Sequence, residues 1–174
     1  PEWDIVDSTE QTWVGGVNHP EELRDHSVLV LGHPTDRGQM YVRAEPALRG
    51  VTGLRLEALL YGDLPFGGPG RSHRGTFILS ELHVETKQPD TETWVQLPLK
   101  EATADFSEEE RPLDTEKKEK HVGPVAFLID GKDETGWVAD RGPGQRHTES
   151  VVVVQFAKAV TLPHGTELKV KLFF

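Results

Sequence analysis

The sequence contains no cysteine among its 174 residues. Disulfide bonds, thiolate metal sites, cysteine nucleophiles and a Cys-x-x-Cys-His haem attachment are therefore all excluded. No apolar run approaches the roughly 20 residues that span a bilayer, so we expect no membrane insertion. Basic residues are few: 19 Lys and Arg stand against 29 Asp and Glu, a formal net charge of −10. This balance argues against a nucleic-acid backbone as a partner.

Helical periodicity is also nearly missing, and short alternating segments take its place. Residues 40–45 and 51–59 alternate apolar and polar side chains with a period of two, and residues 150–156 are β-branched and apolar. Turn signals rich in Gly and Pro separate these segments. The sequence therefore predicts an all-β fold, an antiparallel β-sandwich or jelly roll.

The length is that of about one domain, so residues 1–174 are predicted to form a single module. Residues 107–121 are dense in Glu and Lys and poor in apolar residues. We expect this segment to be a mobile charged loop.

Catalytic motifs are missing as well. The eight His show neither His-x-x-x-His nor His-Glu-x-x-His spacing. Ser72 and His73 are adjacent, but the Gly-x-Ser-x-Gly elbow of a serine hydrolase lacks its second Gly here. Carboxylates are abundant, yet the pattern singles out no glycosidase pair. The sequence therefore predicts a non-enzyme with no catalytic residues.

The most informative stretch is residues 126–137, AFLIDGKDETGW. An apolar run, interpreted as a strand or a short buried element, ends in an Asp-Gly turn. The turn brings Asp130 and Thr135 towards one centre, together with the carbonyl of Lys132 and other backbone carbonyls. All of these are oxygen donors, which suit calcium. Alternatively, the same residues form an Asx-type turn without a metal.

Residues 127–137 resemble the opening signature of discoidin-type, galactose-binding-like domains, Ala-x-Asp-Gly-x-x-x-Thr-x-Trp. Residues 102–107 are similar to that family's Ala-x-Ala-Ser-Ser segment, with Asp105 where Ser is usual. The resemblance implies a galactose-binding-like sandwich whose turn holds a structural calcium, completed by an acidic residue of another strand. Residues 78–84 resemble that strand but precede the turn, which implies a permuted strand order. The implied metal ligands are Asp130, Lys132, Thr135, Glu81, Ser80 and Phe127.

A wider set of motifs, in residues 54–59, 68–71, 75–81, 104–107 and 129–137, resembles the non-catalytic module embedded in large cytochrome-c-type proteins of planctomycete bacteria. The resemblance implies an extracytoplasmic location, periplasmic or at the cell surface, and neighbouring domains in a multidomain parent chain. The chain begins at Pro1 without a Met, so we expect an excised module. We also expect a monomer.

Two Gly-Pro-Gly loops, residues 67–75 and 140–147, carry groups that could bind a sugar. Binding a sugar requires planar donors, carboxylates and an exposed aromatic ring, and Arg presents its donors in a fixed fork. If the loops meet, their arginines would attract an anionic glycan. The predicted ligand-binding residues are Arg71, His73, Arg74, Phe66, Asp140, Arg146 and His147. Tyr61, Trp13 and Trp94 are further candidate platforms.

The sequence leaves two functions open. The first is a carbohydrate-binding module for a polysaccharide or oligosaccharide, with structural calcium. The second is a structural or protein-interaction domain of a larger exported protein that binds no sugar. Each aromatic platform could instead pack in the core, and each loop arginine could instead form a salt bridge. An exposed aromatic ring beside the arginines would favour sugar, whereas an uninterrupted apolar patch would favour a protein partner.

Overall fold

A computed structural model describes residues 2–33, 37–114, 116 and 119–174. The chain has a β-sandwich-like all-β fold built largely of antiparallel pairs, which confirms the predicted fold class. The strands are β1 Glu10–Val14, β2 His19–Glu22, β3 Val28–Leu31, β4 Gln39–Ala44, β5 Leu48–Ala58, β6 Ile78–Leu79, β7 Glu81–Lys87, β8 Val95–Gln96, β9 Leu99–Ala104, β10 Arg111–Pro112, β11 His121–Gly123, β12 Thr135–Val138, β13 Ser150–Leu162 and β14 Glu167–Phe173. Two 3-10 helices are η1 Pro65–Gly67 and η2 Val125–Ile129. Within the described residues, no helix is long and apolar enough to cross a membrane.

The chain divides into two compact units. Unit 1 comprises Pro1–Thr52, His83–Pro98 and Ala157–Phe173, and unit 2 comprises Gly53–Leu82 and Leu99–Phe156 together with the last residue. The divisions fall within β5, β7 and β13, so the chain passes between units inside strands. That residues 1–174 act as one module stays a prediction.

Unit 1 contains a five-stranded sheet in the order β1-β4-β14-β7-β8, and a separate β2-β3 hairpin. β4 is antiparallel to both β1 and β14. Because side chains alternate between the two faces of a strand, even-numbered residues such as Met40, Leu168 and Leu172 lie in the core. Odd-numbered residues of β4 and β14 lie on the opposite face and are mostly polar, with Phe173 as an exception.

Unit 2 contains a four-stranded sheet in the order β10-β11-β12-β6, in which β11 and β12 are parallel. β13 pairs with β9 antiparallel in a further sheet. The core of the unit is built around Trp137, which is 1% exposed. Its indole Nε1–H donates to the carbonyl of Phe106 at 3.1 Å, and Phe77 packs edge-on at 5.4 Å between ring centroids. Trp137 thus anchors β12, the strand that leaves the Asp130 turn.

The apolar run before Asp130 is not a strand. It forms η2, in which Leu128 is fully buried, so the run is the short buried element of the two predicted alternatives. β12 lies between β11 and β6, and it pairs with β6 so that Leu79 lies opposite Trp137. Ser80 and Glu81 directly follow β6 in the chain and therefore lie beside the Asp130 turn.

The charged segment 107–121 contains β10 and the first residue of β11. Thr115, Lys117 and Lys118 of this segment lie outside the described residues. Its mobility stays a prediction.

Candidate functional site

The Asp130 turn is closed by its own side chains. Asp130 Oδ1 accepts a hydrogen bond from the Lys132 backbone N–H at 3.0 Å, which is the geometry of an Asx turn. Gly131 adopts a φ of 76° between them, a conformation that glycine takes at little steric cost. Thr135 Oγ1 lies 3.0 and 3.1 Å from the two carboxylate oxygens of Asp130, and 3.0 Å from the carbonyl oxygen of Lys132. These residues therefore form an Asx turn, the arrangement that the sequence analysis gave as the alternative to a calcium site.

Glu81 reaches this turn from a distant part of the sequence. Its Oε1 accepts a hydrogen bond from the same Lys132 N–H at 2.9 Å. Only 4% of Glu81 is exposed. Two acidic side chains thus converge on one backbone donor, and one of them is buried. An Asx turn alone does not require this second acid.

The buried carboxyl is electrostatically unfavourable when ionised. Burial, and then the Asp130 carboxyl beside it, raise the pKa of Glu81 to about 7 from an ordinary value of 4.5. Hydrogen bonds from the backbone N–H groups of Lys132 and Gly131 act in the opposite direction. A cation between the two acids would remove the repulsion and favour both ionised forms.

The donors at this site fit a calcium ion. Two carboxylates, a hydroxyl and backbone carbonyls are hard oxygen ligands of the kind that calcium binds. Within the described residues, no group of three or more His, Cys, Asp or Glu side chains is arranged to hold a metal. Further ligands would therefore be hydroxyls or main-chain carbonyls. Ser80 precedes Glu81 and lies against Gly136, and Phe127 lies in η2; their roles as ligands stay predictions.

The first glycine-rich loop is held by its own backbone. The Gly70 N–H donates to the Gly75 carbonyl at 2.8 Å, and the Ser72 N–H donates to the Thr76 carbonyl at 3.2 Å. The Ser72 hydroxyl accepts from the N–H groups of Arg74 and Thr76 at 3.2 and 3.1 Å. Ser72 therefore has a structural role in the turn, because its oxygen is occupied by these contacts.

Phe66 precedes this loop and projects outwards. It is 75% exposed and has a φ of 53°, an uncommon left-handed conformation for a bulky residue. The Tyr61 N–H donates to the Gly67 carbonyl at 3.1 Å and the Gly67 N–H to the Leu64 carbonyl at 2.8 Å, which holds this backbone in place. The close approach of Gly75 to the Pro65 carbonyl joins this turn to the glycine-rich loop. Phe66 is thus an exposed ring on a constrained backbone.

The second glycine-rich loop is organised by Asp140. Its Oδ1 accepts from Arg146 Nε at 2.7 Å and from the Gly142 N–H at 2.9 Å. The hydrogen bond from Arg146 is the main cause that lowers the pKa of Asp140, and the same contact raises the pKa of Arg146. Glu108 accepts the Asp140 N–H at 3.0 Å. For each loop arginine, the sequence left open either a ligand contact or a salt bridge. Arg146 forms a salt bridge with Asp140.

The two loops come close enough to interact. The positive charge of Arg74 contributes to lowering the pKa of Asp140, which places these two predicted residues in one electrostatic environment. Burial lowers the pKa of the half-buried Arg71. His73 and His147 are both exposed on their loops.

The candidate aromatic platforms belong to different units. Phe66 and Tyr61 lie in unit 2 with the loops, whereas Trp13 and Trp94 lie in unit 1. Sequence reasoning missed Glu108, because it lies in the charged segment that was interpreted as a solvated loop. No spacing motif could have revealed its contact 32 residues away.

Comparisons with known proteins add no assignment, because no family model, no curated protein and no solved structure matches this chain. The resemblance to galactose-binding-like domains and to the planctomycete module therefore stays a prediction.

Proposed function

We propose that this chain is a non-catalytic carbohydrate-binding module. In this proposal a structural calcium orders the Asp130 turn, and the glycine-rich loops of unit 2 bind a glycan. The observation that carries the proposal is Phe66, a ring 75% exposed on a backbone-constrained turn whose Pro65 carbonyl approaches Gly75 of the first glycine-rich loop. Covering an exposed aromatic ring with a ligand removes apolar surface from water, which favours binding. The weakly apolar face of a sugar ring is a suitable partner.

The loops supply the polar half of such a site. The exposed guanidinium of Arg74 offers fixed donors to sugar hydroxyls, and Asp140, held by Arg146, adds an acceptor. Holding these groups before the ligand arrives reduces the entropy lost on binding. Arg146 and Arg74 both act on the carboxylate of Asp140, and Glu108 acts on Arg146. Because the exposed Arg74 carries a positive charge on these loops, we extend the proposal to an anionic sugar, sulfated or uronic.

Calcium acts on structure in this proposal. Glu81, Asp130 and Thr135 would hold the ion, with main-chain carbonyls completing its shell. The bound ion would supply charge neutralisation at a turn in the same unit as the loops. We also propose, from the family resemblance, that the module works outside the cytoplasm as part of a larger exported chain.

A glycan array tests this proposal. We expect binding to sulfated or uronic glycans in calcium, and weaker binding in chelator. Phe66→Ala and Arg74→Gln should each weaken binding by about tenfold, the loss of about 1.4 kcal/mol expected for a central contact. Val17→Ala, which shortens an exposed apolar side chain of unit 1, is the matched control and should bind normally. An array without binding, or Phe66→Ala binding as well as the wild type, would refute the proposal.

A second candidate function is docking to a protein partner, such as a neighbouring domain. It is favoured by Leu59 and Leu60, which are 36% and 40% exposed and precede the turn that carries Phe66. The array separates the two: a protein-docking surface would bind no glycan.

A further inference from the structure

β5 lies at the edge of its sheet. The strands of that sheet follow the order β5-β13-β9, so β5 pairs with β13 on one side only. Within the part of the chain that the structure describes, no main-chain hydrogen bond from a loop reaches residues 53–58, the portion of β5 that belongs to unit 2. An edge strand presents a row of N–H and C=O groups with which a further strand can pair. Residues 53–58 are therefore an open main-chain edge.

The side chains of this edge do not repel a second strand. Proteins commonly protect edge strands with proline, with lysine or with a covering element. Residues 53–58 contain neither proline nor lysine. Their two charged residues, Arg55 and Glu57, have opposite signs, and the side chains are 39% and 43% exposed. The edge is therefore accessible and carries no net charge.

The charge pattern of this edge is complementary to itself when it is read in the opposite direction. Residues 54–58 are apolar, basic, apolar, acidic and apolar in turn. In an antiparallel pair of two such strands centred on Leu56, Arg55 of each strand lies opposite Glu57 of the other. Cross-strand pairs of opposite charge stabilise a sheet, whereas like charges directly opposite each other destabilise it. Two copies of the strand thus match through a two-fold axis, as in an isologous dimer.

The two faces of β5 suit such a pair. Arg55 Nε lies 2.8 Å from Glu57 Oε1, so both side chains lie on one face, and this contact uses one of the five N–H donors of arginine. The apolar residues at 54, 56 and 58 alternate with them and are half-buried. An added strand with the same alternation would bring its charges to the exposed face and none to the core. Leu59 and Leu60, which follow directly and are 36% and 40% exposed, would lose apolar surface to the partner.

We infer that β5 is a self-association site, at which two copies of this chain pair edge to edge and antiparallel with Leu56 at the two-fold axis. A second copy is the partner because the strand itself supplies the complementary charges. One strand pair is a small interface, so the dimer is expected to be reversible and dependent on concentration. The inference goes beyond the proposed function, since the pairing needs neither calcium nor a glycan. It replaces the monomer expected from the sequence.

Sedimentation equilibrium of the whole chain tests this inference. The measurement is made in chelator, at physiological ionic strength, over a range of protein concentrations. We expect the average mass to rise with concentration from that of one chain towards that of two. Arg55→Glu and Glu57→Arg each place like charges opposite each other, and each should weaken self-association by about tenfold or more. A mass of one chain at every concentration, or unchanged association in both variants, would overturn the inference.

A mixture of these two variants gives the sharpest test. Arg55→Glu produces an edge with two acidic residues, and Glu57→Arg produces an edge with two basic residues. In the antiparallel register, every acidic residue of the first edge lies opposite a basic residue of the second. Mixing equal amounts should therefore restore association at concentrations at which each variant alone is monomeric. A mixture that associates no better than its components would contradict the inference.

Lys100→Glu and Glu101→Arg are the matched controls. They make the same changes of charge at exposed positions of β9, the other edge of the same sheet. Both should associate like the wild type, and so should Phe66→Ala, which excludes association through the exposed ring of the loop site. An equal loss of association in the β9 variants would indicate general electrostatic attraction and would refute pairing through β5.

Hydrogen exchange of the wild type gives a readout that needs no variant. Peptides that contain residues 53–60 should exchange more slowly at concentrations at which the chain is dimeric, because pairing engages the open N–H groups of the edge. Peptides from β9 should exchange at the same rate at both concentrations. Unchanged exchange at residues 53–60 in the dimer would overturn the inference, whether or not the charge variants fold.

Discussion

The backbone N–H of Lys132 donates a hydrogen bond to Glu81, a residue 51 positions earlier in the chain. The same N–H also donates to Asp130, so one backbone donor is shared by two acidic side chains. Burial, and then the neighbouring Asp130 carboxyl, raise the pKa of Glu81, so this carboxyl resists ionisation. We expect a cation bound between the two carboxylates to stabilise their ionised forms.

Calcium should therefore raise the melting temperature of the wild-type protein. At a calcium concentration about 100 times the dissociation constant, linkage gives about 2.7 kcal/mol. For a chain of this size, that corresponds to about 5 to 10 °C. Glu81→Gln should lose most of this shift, because the amide oxygen can still accept the Lys132 N–H but the negative charge is gone. Differential scanning calorimetry with calcium and with chelator measures both proteins.

Asp133→Asn is the matched control for this experiment. Asp133 lies in the same turn and is exposed, and its substitution removes the same charge. It should retain the full calcium-induced shift. An equal loss in both variants would indicate general electrostatic attraction instead of a defined site.

The pKa of Glu81 also predicts how the metal-free protein responds to pH. The folded state releases this proton near pH 7, whereas the unfolded chain releases it near 4.5. Between these values the folded state binds more protons than the unfolded state, so the free energy of unfolding falls as pH rises. The total fall is about 3 kcal/mol, from about 1.4 kcal/mol for each unit of pKa difference.

Urea denaturation in chelator across this pH range measures the effect. Glu81→Gln has no proton to release at this position and should show a flatter profile than the wild type. Stability that rises with pH in the wild type and the variant alike would exclude this role for Glu81.

The sequence predicted those parts of the fold that depend on local alternation. Leu54, Leu56 and Ala58 alternate with the exposed Arg55 and Glu57 within β5, as a period of two requires. The run before Asp130 was ambiguous, because a short apolar segment fits a strand and a 3-10 turn equally well. Pro124 at its start and the buried Leu128 belong to the turn.

The sequence could not predict contacts that depend on sheet register. Trp94 was a candidate platform, but nothing near it indicates Lys169, which lies 75 positions later and reaches the ring through the pairing of β14. The link between Glu81 and the Asp130 turn was accessible only through the family resemblance, since burial and pairing cannot be derived from spacing. Neither residue spacing nor the family resemblance indicated the contact between Glu108 and Asp140.

The second glycine-rich loop should depend on Asp140. Asp140→Ala removes the acceptor for Arg146 Nε and for the Gly142 N–H. We expect a loss of about 1 to 3 kcal/mol in the free energy of unfolding, the range for lost hydrogen bonds to a charged group. We also expect weaker glycan binding in the array. Asp63→Ala, at an exposed position of the chain before the first loop, should change stability by about 0.5 kcal/mol or less. Equal stability of the two variants would show that Asp140 does not organise the loop.

Gly70 should be among the least replaceable residues of the first glycine-rich loop. A Cβ atom at this position would lie 2.1 Å from the carbonyl carbon and oxygen of Thr76, which are backbone atoms and cannot rotate away. Gly70→Ala should therefore displace the loop backbone and destabilise the protein by about 1 to 3 kcal/mol. Urea denaturation measures this loss, and the array should show weaker glycan binding because Phe66 and Arg74 are joined to the same backbone.

Gly62→Ala is the matched control for Gly70→Ala. A Cβ at Gly62 meets no atom within 4 Å, and the residue does not have a positive φ. Its substitution should be neutral, or should stabilise the protein by about 0.4 to 1 kcal/mol, because alanine restricts the unfolded chain. Equal stability of the two variants would mean that the close approach of Gly70 to Thr76 is not required, and that the loop can hold Phe66 in another way.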